Sequence, residues 1–176
     1  MSQPNVTLRN VTLRTGHSVR TGHSEGEGLP DVEPRKRDDV SARELCEMAR
    51  AAAEFAYAKY SRFRVGAAVA TSTAVYSAAN IENASYGLSL CAERAAIARA
   101  VTSGDLELTR IGIACVDAQP GDGLNSAMPC GACRQWFVEF SPGLEVLVLS
   151  ASGDIYEFRA RDLLAVPFTL ATDLEP

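Results

Sequence analysis

Three cysteines and one glutamate have the residue types and spacing of a metal-dependent hydrolytic site. Cys130 and Cys133 form a C-x-x-C pair, and Cys91 lies two residues before Glu93. Alone, the pair fits a thioredoxin-like redox motif or half of a structural zinc site about equally well. A structural zinc ion usually has four protein ligands, but both histidines of the chain fall within its first 23 residues and no second C-x-x-C follows. Three thiolates without a fourth protein donor therefore favour a catalytic zinc ion with an open position for water.

Glu93 has two interpretations. A glutamate in the first turn of a helix is stabilised by the helix dipole by about 0.3–1 kcal/mol, so its position alone does not indicate catalysis. Beside a zinc ligand, the same carboxylate is also suited to transfer protons. The other two cysteines, Cys46 and Cys115, fall in a predicted helix and a predicted buried strand, where cysteine acts as a small hydrophobic residue.

Two arginines directly follow residues of the motif, Arg94 after Glu93 and Arg134 after Cys133. Zinc with three thiolates has a formal negative charge, and arginines that hydrogen-bond the sulfur atoms would offset it. The alternative is that both are ordinary solvated helix residues.

The elements needed to position these residues alternate along the chain. Capping signals and hydrophobic periodicity predict helices over 41–57, 91–104, 130–141 and 161–166, and strands over 63–71, 74–80, 108–116, 144–151 and 155–160. This order predicts an α/β fold, a three-layer α-β-α sandwich with a central mixed five-stranded sheet. Cys91 and Cys130 each fall where a loop leads into a helix, so two adjacent helix N-termini would gather all three thiolates, and the helix dipoles would favour their ionised form.

Composition limits the domains, the partners and the location. The chain has 176 residues, 47% of them hydrophobic and 22% charged, as expected for one globular domain. Its net charge of −5 disfavours long nucleic acids as partners. The sequence has neither the roughly 20-residue apolar run of a membrane span nor a secretory signal, which predicts a cytoplasmic protein. Residues 1–38, with repeated NVTLR and TGHS segments followed by a stretch rich in Gly, Pro and charge, are predicted to be a disordered arm, and residues 39–176 the catalytic domain.

Four segments of the sequence resemble the zinc-dependent nucleoside and nucleobase deaminases. They are YSRFRVGAA (60–68), NIENASYGLSLCAER (80–94), PCGACRQ (129–135) and LLAVPF (163–168). That class combines a Cys₃ or His/Cys/Cys zinc site with a glutamate that is not a ligand. The CAER form at 91–94 is similar to that of the small homotetrameric cytidine deaminases, whereas polynucleotide deaminases have His-x-Glu. The resemblance covers residues 41 to about 170, and the first 38 residues have no counterpart in it.

The resemblance implies a role for each matching residue. Cys91, Cys130 and Cys133 would bind one Zn²⁺ per subunit, and Glu93 would transfer protons. The substrate contacts would be Phe63, Asn80, Glu82, Ala84, Tyr86, Ala92 and Phe168. In this set Asn80 and Glu82 would bind the ribose 3′-hydroxyl. The two phenylalanines would stack on the pyrimidine, and the backbone of Ala92 would hold the base edge. Residues 84 and 86 would lie near the 5′-hydroxyl, and they and Phe168 would act across subunit boundaries of a homotetramer.

The function implied by the resemblance is hydrolytic deamination of cytidine and 2′-deoxycytidine in pyrimidine salvage. Deamination of a modified cytosine nucleoside such as blasticidin S is an alternative, and a non-catalytic zinc-binding scaffold, which would not need Glu93, is another. Two features depart from the family pattern: the loop 118–128 is longer, and Ala165 replaces the proline expected before Phe168.

Overall fold

A five-stranded mixed sheet with helices on both faces forms the centre of the protein. The computed structural model describes residues 40–170. The arm predicted for residues 1–38 lies outside the described residues and stays a prediction, as does the domain boundary at residue 39. The elements are α1 (Ala42–Ala53), β1 (Val65–Thr71), β2 (Val75–Ala79), α2 (Ala92–Thr102), β3 (Leu108–Cys115), α3 (Gly131–Phe140), β4 (Glu145–Leu149), β5 (Ile155–Arg159) and α4 (Ala160–Leu163). The fold class and the order of elements predicted from the sequence are confirmed.

The strand order places β3 at the middle of the sheet. The strands run β2-β1-β3-β4-β5, and β3 and β4 are parallel whereas the other neighbours are antiparallel. A parallel pair needs a crossover connection, and α3 supplies it between β3 and β4. The loop that leaves the carboxyl end of β3 therefore leads into the helix that carries Cys130 and Cys133.

The two faces of the sheet bury alternate residues of the same strands. In β1, Ala67 and Val69 pack in the cluster that contains α2 and α3, while Ala68 and Ala70 pack against α1. Gly66 lets α1 lie directly on the strand, because a Cβ there would stand 1.8 Å from the carbonyl oxygen of Ala49. The sheet is thus covered on both faces, which explains the apolar runs of its central strands.

The first helix begins as predicted and ends earlier. Ser41 caps it through the predicted capping box, in which the Glu44 backbone N–H donates to Ser41 Oγ at 3.2 Å and the Ser41 backbone N–H donates to the Glu44 carboxylate at 2.8 Å. The prediction that the helix continues to about residue 57 is wrong. Tyr57 instead donates its backbone N–H to the carbonyl of Asn80 and accepts from the N–H of Glu82, so a long-range pairing replaces the last helical turn.

Two short 3₁₀ helices, Tyr86–Leu88 and Leu124–Ala127, lie in segments that the sequence did not assign to regular structure. The second belongs to the loop between β3 and α3. Across residues 40–170 the structure contains no helix with the length and apolar character needed to cross a membrane.

Candidate active site

The three cysteines meet at the N-termini of α2 and α3. Cys91 is the N-cap residue of α2, Cys130 is the N-cap residue of α3, and neither side chain makes a capping hydrogen bond. The Sγ atoms of Cys91 and Cys130 lie 3.8 Å apart, those of Cys130 and Cys133 lie 3.6 Å apart, and all three fall within 4.8 Å of one another. Tetrahedral zinc with Zn–S bonds of about 2.3 Å separates its sulfur ligands by roughly 3.8 Å. The donor set therefore has the spacing of a three-thiolate zinc site.

The thiol groups differ in how readily they ionise. The hydrogen bond from Cys133 lowers the pKa of Cys91 most, and the nearby Arg94 guanidinium lowers it further. Donation of that hydrogen bond raises the pKa of Cys133, and burial adds to the increase. Of these two thiols, Cys91 is therefore the one whose ionised form is favoured.

Glu93 is buried in the first turn of α2. The residue is only 5% exposed, and this burial raises its pKa to about 7, opposed in part by its own backbone N–H. Desolvation disfavours the charged form of a carboxyl group. The carboxyl group can therefore both accept and release a proton near neutral pH, although a cation bound beside it would favour its ionised form.

The two arginines that follow motif residues make different contacts. Arg94 Nη2 lies 3.6 Å from Cys91 Sγ and donates to the carbonyl of Ser89 at 3.2 Å. Arg134 donates instead to two carbonyl oxygens, that of Pro129 at 2.8 Å and that of Leu163 at 3.2 Å. The structure thus brings Arg94 to a thiolate and uses Arg134 to join the start of α3 to the C-terminal segment.

A cavity of about 430 Å³ opens beside the sulfur atoms. Six of the residues predicted for the site line it: Phe63, Asn80, Cys91, Ala92, Glu93 and Cys130. This volume lies in the usual range for small-molecule sites, about 300–1,000 Å³. The cavity therefore has room for a small ligand in contact with both the thiolates and the buried carboxyl group.

Asn80 and Glu82 hold one side of this cavity in place. Asn80 Oδ1 accepts from the Val65 backbone N–H at 2.9 Å, and its Nδ2 donates to the carbonyl of Phe63 at 3.0 Å. The Glu82 carboxylate accepts from the backbone N–H of Tyr60 at 2.6 Å and from that of Ser61. An amide and a carboxylate with these bonds retain unused donor and acceptor capacity. Both side chains thus fix the segment that carries Phe63 and can still bind a ligand.

Four of the predicted substrate contacts lie outside the cavity lining of this chain: Glu82, Ala84, Tyr86 and Phe168. Tyr86 and Phe168 are 77% and 70% exposed as residues. The backbone of Phe168 is nevertheless anchored to α3, because Gln135 donates to its carbonyl at 2.7 Å and accepts from its N–H at 2.9 Å. The Ala165 that replaces the expected proline therefore does not leave this segment without contacts.

Five lining residues on a second part of the chain were not assigned to the site from the sequence. They are Ile113, Cys115, which pairs with Val65 across β1 and β3, and residues 126–128, in the loop that was noted only for its length. Their direct connection through Pro129 to Cys130 was the available signal. Cys115 is half-buried, and burial raises its pKa to about 12, which keeps it a neutral thiol.

Comparisons with known proteins agree with this geometry. The model for the cytidine and deoxycytidylate deaminase zinc-binding region matches residues 40–149. The chain is 41% identical over 127 residues to a cytidine deaminase of Halalkalibacterium halodurans, covering 71% of this chain and 92% of the relative. It is 35% identical over 132 residues to a cytidine deaminase of Sporosarcina psychrophila, covering 74% and 93%.

Solved structures give the same result. The crystal structure of cytidine deaminase from Burkholderia pseudomallei has a TM-score of 0.66 and 41% sequence identity, covering 73% of this chain and 100% of that chain. That of cytidine deaminase from Mycobacterium tuberculosis has a TM-score of 0.61 and 36% identity, covering 75% and 100%. The three-cysteine cluster and the matched zinc-binding region both fit zinc as the ion of this site.

Proposed function

The chain belongs to the cytidine and deoxycytidylate deaminase family, and from this premise we propose that it hydrolyses cytidine and 2′-deoxycytidine to uridine and 2′-deoxyuridine, with release of ammonia, in pyrimidine salvage. The observation that carries the proposal is the position of the three sulfur atoms, 3.6–3.8 Å apart along the C-x-x-C and Cys91–Cys130 pairs, at a cavity whose lining also contains Glu93. A metal site and a buried carboxyl group then face the same ligand.

The proposed chemistry divides between the metal and Glu93. Zinc bound by the three thiolates would supply an activated water molecule for attack on C4 of the cytosine ring. Glu93 accepts a proton from that water and transfers it to N3 of the ring as the C4–O bond forms. It then accepts the proton of the new C4 hydroxyl group and gives it to the amino group, so that a C4 carbonyl forms, the C4–N bond breaks and ammonia leaves. Two observations support this role. Glu93 is buried beside the cysteines, and no other acidic side chain lines the described cavity.

The family resemblance implies the remaining contacts of the nucleoside, and the presence of Phe63, Asn80 and Ala92 in the cavity lining supports them. Phe63 stacks on the pyrimidine and the backbone of Ala92 holds its polar edge, while Asn80 binds the ribose 3′-hydroxyl. Glu82 joins Asn80 at this hydroxyl through its remaining acceptor capacity. Arg94 offsets the charge of the thiolates by its contact with Cys91.

We further propose a homotetramer in the cytoplasm, built from the domain that spans residues 39–176. The exposed apolar side chains Tyr86, Leu88, Val166 and Phe168, each at least 70% exposed, support an assembly that covers them. In that assembly Ala84, Tyr86 and Phe168 complete the site of a neighbouring subunit.

A substrate panel tests the function. The loss of absorbance on deamination is followed with cytidine, 2′-deoxycytidine, cytosine and blasticidin S, using the wild-type protein and Glu93→Gln. Turnover of the two plain nucleosides by the wild type alone supports the proposal. Turnover of blasticidin S only would assign a modified nucleoside instead, and no turnover of any compound by a zinc-loaded protein would assign a scaffold.

A further inference from the structure

One ion pair connects two neighbouring parts of the chain that line the candidate substrate cavity, here called its two walls: residues 61–65, and residues 113–115 with 126–128. The Asp117 carboxylate accepts three hydrogen bonds from Arg64: from the backbone N–H at 2.7 Å, from Nε at 3.0 Å and from Nη2 at 2.8 Å. A planar guanidinium that engages both oxygens of one carboxylate fixes direction as well as distance. We propose that Arg64 and Asp117 are positioning residues that set the width of this cavity, an inference that rests on the proposed function.

The pair lies where the chain passes from the sheet into the cavity walls. Arg64 stands between Phe63 and Val65, which both line the cavity. Asp117 comes two residues after Cys115, which also lines it, and begins the loop that leads to the lining residues 126–128. Fixing one residue to the other therefore fixes the two walls relative to each other.

The backbone pairing of the two strands reaches Arg64 but not Asp117. The antiparallel pairing of β1 and β3 ends at Val65 and Cys115, and one more backbone bond follows, from the Val116 N–H to the Arg64 carbonyl at 3.1 Å. Beyond it, Gln119 Nε2 donates to the Asp117 carbonyl at 3.3 Å, so the loop is built outward from Asp117. The carboxylate therefore extends the connection between the strands into the loop.

A second partner of the same arginine supplies a matched control. Arg64 Nη1 also donates to the Glu54 carboxylate at 2.7 Å, at the C-terminal end of α1. Glu54 does not line the cavity, and its side chain is 59% exposed, against 27% for Asp117. Removal of either carboxylate changes the net charge equally, but only Asp117 connects the walls.

A wall of the cavity touches the substrate before and during the reaction alike. Loss of its position weakens uniform binding, which raises KM and leaves kcat almost unchanged. The zinc ligands are held by the N-termini of α2 and α3, so zinc content should not change. For Asp117→Asn we expect KM for cytidine to rise about tenfold, in the range of a lost hydrogen bond to a charged group.

The experiment compares wild type, Asp117→Asn, Arg64→Gln, the double variant and Glu54→Gln, each as the zinc-loaded full chain. KM and kcat for cytidine, calorimetric Kd for uridine, zinc content and thermal midpoint are measured. We expect Asp117→Asn and Arg64→Gln to raise KM and the uridine Kd by similar factors. The double variant should add little, because both single changes remove one shared interaction, and Glu54→Gln should match the wild type.

Wild-type KM and uridine Kd in Asp117→Asn would overturn the inference, even with a lowered thermal midpoint, since the pair would then be merely structural. An equal rise of KM in Glu54→Gln, or a fall in kcat and zinc content at constant KM, would also overturn it. Failure of the proposed function would give a different result, because the wild-type protein itself would not convert cytidine. In that case the uridine Kd values still test whether the pair positions the walls.

Discussion

Replacement of Arg94 by glutamine should slow turnover without removing the metal. Arg94 Nη2 lies 3.6 Å from Cys91 Sγ, and it is also held by the Ser89 carbonyl at 3.2 Å. Its guanidinium reduces the negative charge that the Cys91 thiolate donates to bound zinc. Without it the thiolate remains a ligand, but the more electron-rich centre polarises water less well.

The distance sets the size of the effect. Two unit charges about 3.6 Å apart interact by roughly 4–5 kcal/mol at an effective dielectric constant of about 20. Arg94 is only partly buried, which weakens the attraction, and glutamine retains donor capacity, so only part of that energy is lost. We expect kcat to fall by about 10- to 100-fold, which corresponds to roughly 1.4–2.7 kcal/mol of transition-state stabilisation.

Arg134→Gln is the matched control, since it removes the same charge from the residue after another motif position. Arg134 donates to the carbonyls of Pro129 and Leu163, and neither bond reaches a sulfur atom. We therefore expect a smaller change in kcat and a lower thermal midpoint, because this side chain joins α3 to the C-terminal segment.

The assay measures kcat by absorbance and zinc by atomic emission on the same preparations. Loss of zinc from Arg94→Gln in proportion to its loss of activity would refute the reasoning, because the arginine would then hold the ligands rather than adjust their charge. An equal fall of kcat in the two variants would refute the distinction between their contacts.

Two further predictions concern the stability of the fold. Gly66→Ala should destabilise the fold by roughly 2–4 kcal/mol, because the new Cβ would lie 1.8 Å from the Ala49 carbonyl oxygen. Gly143→Ala is the control: a Cβ there would meet no atom within 4 Å, so stability should change by under about 1 kcal/mol. Urea unfolding of the two variants and the wild type measures both changes. The hydrogen bond from Tyr76 is the main cause of the lowered pKa of Asp105, so the stability that this carboxylate contributes is present above its unfolded pKa and is lost as pH falls through the lower folded value. Asp105→Asn should therefore lose less stability than the wild type between about pH 5 and pH 3, and parallel curves of thermal midpoint against pH would contradict this.

Only part of the metal cluster is local in sequence, because Cys130 and Cys133 share one helix start whereas Cys91 lies 39 residues before Cys130. Cys91 was joined to the pair because it also precedes a helix and because the CAER and PCGAC segments together resemble a known family. The end of α1 was not predictable in this way, because Tyr57 leaves the helix to pair with Asn80 and Glu82, which are more than 20 residues away in sequence. Local periodicity contains no information about that partner.

The side-chain contacts of the two arginines were also not predictable from local sequence. Arg94 and Arg134 occupy equivalent places in the sequence, one residue after a motif position, so the sequence left the same two alternatives open for both: contact with a thiolate or an ordinary solvated position on a helix. Their directions depend on what packs beside each helix: the Cys91 sulfur atom for Arg94, and the backbone near Leu163 for Arg134. Only the tertiary structure distinguishes a charge-balancing arginine from one that connects two segments.

Glu93→Gln provides the most direct test of the proposed mechanism. Zinc content, uridine and ammonia are quantified after incubation of cytidine with the wild type and with this variant. The account predicts one zinc ion per chain in both proteins, equal amounts of uridine and ammonia from the wild type, and turnover at least about 100-fold lower in the variant. Wild-type turnover by zinc-loaded Glu93→Gln would contradict the assignment of this buried carboxyl group as the proton carrier.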